Sequence, residues 1–195
     1  MIKGKLSDFI KKKNEEEGGV ALFNIEQEFA STHGLLEGEI LNEDIRSRFE
    51  EVVIERCIKE SDETVKMESA SFLENPLSFL KSHKDEFLFL DAEWFGTIGI
   101  DGLSIEIDDV FGHYEAMFGL KLQKKFRSEM DIYLEHTLQG DKGYNLLFNG
   151  DDGLWDVNIA INDIPSFSED LTLKDVIMII YVYLFGMIEK VTEKK

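Results

Sequence analysis

The sequence predicts an α+β fold in a single domain. Residues 1–84 read as mainly helical; residues 85–195 read as two β-hairpins in one antiparallel sheet, with helices packed on one face. Three observations carry this expectation. Apolar residues recur at three- and four-residue steps through the first half. A Gly150-Asp151-Asp152-Gly153 turn separates two alternating stretches. Strands and helices then mix without the regular βαβ alternation of a parallel sheet.

Taken in order, residues 2–13 suit a short helix with Ile2, Leu6, Phe9 and Ile10 on one face, and the run NEEEGG at 14–19 marks a loop. From Asn42, a suitable N-cap followed by Glu43 and Asp44, the residues Ile45, Phe49, Val52, Val53 and Cys57 form an amphipathic stripe. Residues 61–73 read as helical too. Asn75-Pro76 signals another helix start, leading into Leu77, Phe79 and Leu80.

After Lys84 the punctuation changes. EFLFL at 86–90 is a short apolar run, and Gly96, Gly99 and Gly102 break up the next stretch. A period of two predicts strands around 97–100 and 103–108, joined at Asp101-Gly102. A helix is expected over 114–138, at least from Leu122, because Phe126, Met130, Tyr133, Leu134 and Leu138 share a face. The second hairpin is predicted at 144–149 and 154–162. There Trp155, Val157, Ile159 and Ile161 point one way, and Asp156, Asn158 and Asn162 the other. Thr172 with Asp175 resembles a capping box opening a last helix over about 173–192. Its apolar run at 176–188 has 13 residues, short of the roughly 20 that span a bilayer, so it reads as core.

Composition narrows the function by exclusion. With 40 acidic and 21 basic residues the formal charge is −19, which disfavours phosphate backbones and anionic lipid surfaces as partners. One cysteine leaves no internal disulfide and no cysteine-rich zinc site. The N-terminal residues show no apolar signal core, so a cytoplasmic location is expected. The acidity is segregated: residues 91–119 and 143–173 contain carboxylates and neither Lys nor Arg. If the two hairpins share a sheet, Glu106, Asp108, Asp156 and Asn158 occupy its polar face, where like charges need a compensating partner. Lys121, Lys124, Lys125 and Arg127 bunch at the start of the middle helix and can neutralise part of that face from within the chain.

No nucleophile elbow, dinucleotide fingerprint or phosphate loop is present. Cys57 beside Arg56 reads as a buried, inert thiol. Asn149–Asp156 fails the EF-hand template. Glu106, Asp108, Asp109 and His113, with Glu115 beside them, have ligand types suited to a divalent metal, although no HExxH or paired-histidine spacing supports it. The stretches FGLKLQKK (118–125) and LLFNGDDGLWDVN (146–158) resemble a group of small, poorly characterised bacterial cytosolic proteins, some labelled branched-chain aminotransferase. That activity requires a Schiff-base lysine and a phosphate cup, and neither is identifiable here, so it is not carried over.

The expectation is therefore a non-enzymatic binding or regulatory protein, of immunity type, recognising a protein with a basic surface. Recognition would use Glu106, Asp108, Asp156 and Asn158, with Trp155 or Tyr144 as aromatic anchors. The alternative is a divalent-metal-binding protein or metal-dependent enzyme using the 106–115 cluster. A homodimer through the apolar last helix is a third possibility.

Overall fold

The computed structural model describes residues 1–36, 38, 40 and 47–193. Seven antiparallel strands form one sheet: β1 (Val53–Ile58), β2 (Thr64–Glu68), β3 (Glu86–Asp91), β4 (Leu103–Ile107), β5 (Tyr114–Leu120), β6 (Tyr144–Asn149) and β7 (Leu154–Ala160). Their order is β2-β1-β3-β4-β5-β7-β6. Because β2 and β3 both pair with β1, the chain crosses β1 between them, through 3₁₀ turns at Ala70–Glu74 and Leu77–Ser82. It crosses β7 in the same way, through the helix α5 (Arg127–Thr137). Both crossings bury leucines or methionine (Leu73, Leu77, Leu80, Met130, Leu134) in one core, so they lie on the same side of the sheet.

The helices on that side complete the cover: α1 (Ile2–Glu17), α2 (Asn24–His33), α3 (Ser47–Glu50), α4 (Phe95–Ile98) and α6 (Leu173–Glu193). Strand alternation makes the core one-sided. Leu103, Ile105 and Ile107 of β4, Tyr114, Ala116, Phe118 and Leu120 of β5, and Trp155, Val157 and Ile159 of β7 are all buried towards the helices. Along α6, eleven residues from Leu173 to Val191 are buried. Among the described residues no helix is long and apolar enough to cross a membrane.

The second hairpin and the last helix lie where the sequence places them. Thr172 and Asp175 do form a reciprocal cap: the Asp175 N–H donates to Thr172 Oγ1 at 3.2 Å, and the Thr172 N–H donates to Asp175 Oδ2 at 3.2 Å. Ile161 is the exception in the hairpin, since it begins a 3₁₀ turn rather than extending the strand.

Four sequence-based expectations are corrected. The stretch through Val53 and Cys57 is a strand, not a helix; Val53, Ile54 and Ile58 are β-branched, all three pair with β3, and residues 54–57 pair with β2 as well. The proposed N-cap Asn42, with Glu43, Asp44 and Ile45, lies outside the described residues. Residues 61–73 hold β2 and a 3₁₀ turn. Residues 95–98 are a helical turn stopped by Gly99 in the left-handed region (φ 81), and β5 occupies 114–120. The hairpin expected at 97–100 with 103–108 is instead β4–β5, turned at 108–113, and β1–β2 forms an earlier one. In addition, α1 continues through NEEE to Glu17, where Lys13 pairs with Glu17 at 2.6 Å, and ends at Gly18.

The N-terminal helices are tied to α6 by a buried polar cluster. Glu26 accepts from the Phe23 N–H at 2.8 Å, from Arg48 and from the Tyr181 hydroxyl. Tyr181 and Thr97 hydroxyls meet at 2.7 Å. The Arg48 guanidinium lies 3.9 Å from the Phe23 ring centroid. Burial beside Glu26 holds the Tyr181 phenol well above its ordinary pKa, so it remains a donor. Removing one charge strands the other, which costs about 3 kcal/mol or more. Arg48→Met should therefore lower the Tm by roughly 6 °C or more, and Glu26→Gln/Arg48→Met by less than Arg48→Met alone, as read by thermal unfolding. Thr172→Ala should cost about 1 kcal/mol, or roughly 2 to 4 °C.

Candidate functional site

Since all the helices and both crossings lie on one side, the other face of the sheet has no element packed over it among the described residues. Alternation decides what appears there. β4 contributes Ser104 and Glu106, β5 contributes Glu115, Met117 and Gly119, and β7 contributes Asp156 and Asn158. Glu55 of β1 and Phe87 and Phe89 of β3 continue the face, and the edge strands add Met67 and Leu147, which are 56% and 62% exposed. Two glycines shape it. A Cβ at Gly119 would fall 2.4 Å from the Asp101 carboxylate, which occupies that space and accepts from the Gly119 N–H at 3.0 Å. A Cβ at Gly102 would fall 2.9 Å from the Phe89 ring, which lies over the bare backbone.

Glu106 and Glu115 stand directly opposite each other across β4 and β5. Like charges so paired are destabilising, and three neighbours offset them. Lys59, in the turn after β1, lies 3.4 Å from Glu106 and from Asp109 and donates to the Ile107 carbonyl at 2.6 Å. Asn158 donates to Glu115 at 2.9 Å, and His113 Nε2 lies 3.1 Å from the other Glu115 oxygen. The compensation is incomplete. Burial pushes the Glu106 carboxyl above its ordinary pKa; Lys59 opposes that shift, and Glu115 and Asp109 reinforce it. His113 Nδ1 is buried without a hydrogen-bond partner among the described residues. The Asp156 side chain is exposed and has no ion-pair or hydrogen-bond partner among them either.

The predicted site residues therefore separate into two groups. Glu106, Asp156 and Asn158 share the open face. Trp155 and Tyr144 do not, because their parity turns them to the helix side. Trp155 is 1% exposed, with its indole N–H on the Leu122 carbonyl, and the Tyr144 hydroxyl meets Asp131. Neither can act as an exposed anchor on this face; half-exposed Phe87, Phe89 and Met117 stand there instead. Asp108 caps the β4–β5 turn, where the Phe111 and Val110 N–H groups hold its carboxyl below the usual range. Lys121, Lys124 and Lys125 have no carboxylate within ion-pair distance among the described residues, so they do not neutralise the face; Lys59 does.

Sequence reasoning missed Glu55 and Asp101 as members of this face, and it placed Glu115 only among candidate metal ligands. Glu55 and Glu115 lay in stretches read as helix, where alternation is invisible, although YEAMFGL does carry a period of two. The four proposed metal ligands have other partners: Asp108 the turn, Asp109 and Glu106 Lys59, and His113 Glu115. Among the described residues no group of three or more His, Cys, Asp or Glu side chains is arranged to hold a metal ion. Compared with protein-family models, curated proteins and solved structures, the chain shows no match.

The raised Glu106 pKa has a stability consequence of definite sign. A carboxyl whose folded pKa exceeds its unfolded one costs nothing while both states are protonated, and destabilises the fold as pH rises through the interval between them. Glu106→Gln should therefore raise the Tm at pH 7, with the gain vanishing below about pH 4. Paired melting curves across that range check it; a loss of stability at pH 7 would show that Lys59 outweighs burial.

Proposed function

We propose that the chain is a non-enzymatic binding protein, and that its open sheet face docks a protein with a basic surface. One observation carries this reading. A broad sheet face, uncovered among the described residues, combines half-exposed apolar side chains (Phe87, Phe89, Met117) with five carboxylates (Glu55, Asp101, Glu106, Glu115, Asp156), and among those residues Lys59 is the one cation paired with them. Six inter-strand spacings of about 4.8 Å and strands about 20 Å long give roughly 600 Å², comparable with the ~800 Å² that each partner contributes to a standard interface. The expected mechanism is steering by the acidic field, followed by burial of the aromatic and methionine side chains against an apolar anchor of the partner. The energetic cost at Glu106 fits a surface held for binding rather than for stability.

Selection of displayed random peptides on the wild-type protein, with counter-selection on Glu55→Lys/Asp156→Lys, tests the reading. Enriched sequences should combine Lys or Arg with an aromatic or aliphatic anchor, and should bind the double variant at least about tenfold more weakly, given roughly 1.5 kcal/mol for a lost charged contact. Sequences without net positive charge, or with unchanged affinity for the variant, would refute it.

A further inference from the structure

A second site of opposite character lies at the end of the sheet where β5 leads towards α5 and where the β6–β7 turn begins. A pocket of about 590 Å³ is lined by Lys121, Leu122, Lys125, Phe126, Phe148 and Gly153, among others. Its lysines stand out in a chain of charge −19. Lys121, Lys124 and Lys125 have no ion pair among the described residues, as is also true of Lys3, Lys5, Lys11, Lys84 and Lys190; what sets them apart is that they stand within five residues of one another, beside one pocket. Aromatic rings position two of them: Lys124 Nζ lies 5.2 Å from the Phe148 centroid and Lys125 Nζ 5.0 Å from that of Phe126. Such exposed cation–π contacts hold an ammonium by about 0.5 to 1 kcal/mol, less than a charged hydrogen bond to a phosphate oxygen, so an anion can redirect these groups.

The opposing effects are screened by solvent, including those of exposed Asp152 and Glu193, which flank the lining residues Gly153 and Thr192. The carbonyl end of α6, whose Thr192 also reaches the pocket, carries about half a negative charge against three positive ones. The acidic face beyond is screened over about 8 Å at physiological ionic strength. Nearby Lys5 adds to the local positive potential: burial and Lys121 together depress its pKa, and its Nζ crowds Gly99 beside the Lys121 carbonyl. The floor is not polar. Leu122 and Phe126 are buried, and Phe148 packs edge-on against Trp155 at 5.0 Å.

We propose that this pocket binds a small organic phosphate with a flat apolar ring, of the nucleoside-diphosphate class. Lys121 and Lys125, which line the pocket, take the phosphates, Lys124 adds charge from beside it over Phe148, and Phe126 and Phe148 take the ring. All three lysines are exposed, so replacing them does not disturb the core. ADP, pyrophosphate and adenosine are the probes, titrated by calorimetry into the wild type, Lys121→Gln/Lys125→Gln, Phe148→Leu and a charge-matched control, Lys3→Gln/Lys11→Gln. ADP should bind the wild type and the control alike and more tightly than either fragment. Its affinity should fall about tenfold for each pocket lysine removed, and measurably for Phe148→Leu. No ADP binding at millimolar concentration, equal losses in the pocket and control variants, or pyrophosphate binding as tight as ADP would each overturn the assignment.

Discussion

One-sided burial of the sheet is the constraint on which the rest of the structure depends. Seven strands alternate, and the helices, both crossing segments and the long apolar α6 all take the same face. Every second side chain of the central strands is therefore committed to the core, and its neighbours are committed to the opposite surface. A one-residue slip in β5 would move Tyr114, Phe118 and Leu120 out of the core and put Glu115 into it. Register is thus fixed by the core, and the chemistry of the open face follows from that register. Glu106 faces Glu115 because Ile105 and Ala116 must both be buried.

The N-terminal third is attached by a different kind of bond. Its apolar residues join the same core, but Glu26, Arg48, Tyr181 and Thr97 form a charged and hydrogen-bonded cluster inside it. Such a cluster adds little net stability compared with apolar packing, yet breaking it is expensive. The aromatic groups around it, Phe23, Trp94 and Tyr181, meet with centroids 4.9 to 5.3 Å apart. The helices and α6 are thereby held in a fixed arrangement on the covered side, and the open side is left free of them.

Legibility in the sequence followed the strength of the local signal. The β6–β7 hairpin was readable because a GDDG turn and strict alternation agree, and α6 because its cap and its apolar run agree. β1 and β5 were misread for one physical reason: VIERCI and YEAMFGL are short, and their apolar spacing satisfies a helix nearly as well as a strand. Only pairing with neighbours distant in sequence decides between the two, and that information is tertiary. The acidic character of the site was visible in the segregated charge, and its side-by-side carboxylates followed once the hairpins shared a sheet. Its aromatic anchors were assigned to the wrong face. Trp155 and Tyr144 stand on the same parity as Val157 and Leu146, whereas Phe87 and Phe89 are brought to the site by β3, a strand outside both predicted hairpins.

The molecule thus presents a carboxylate-rich sheet face and, at the sheet's end, a cluster of lysines, two of them over aromatic rings. We propose that the face attracts a basic partner because of where its carboxylates stand, not because the whole chain is acidic. The most direct measurement is the association rate of a selected basic peptide, followed against ionic strength, for two variants of identical net charge. One is Glu55→Lys/Asp156→Lys on the face, and the other is Glu15→Lys/Glu16→Lys on α1. The face variant should associate much more slowly and lose most of its salt dependence, while the α1 variant should behave like the wild type. Equal effects of the two variants would mean that net charge alone draws the peptide, and would contradict it.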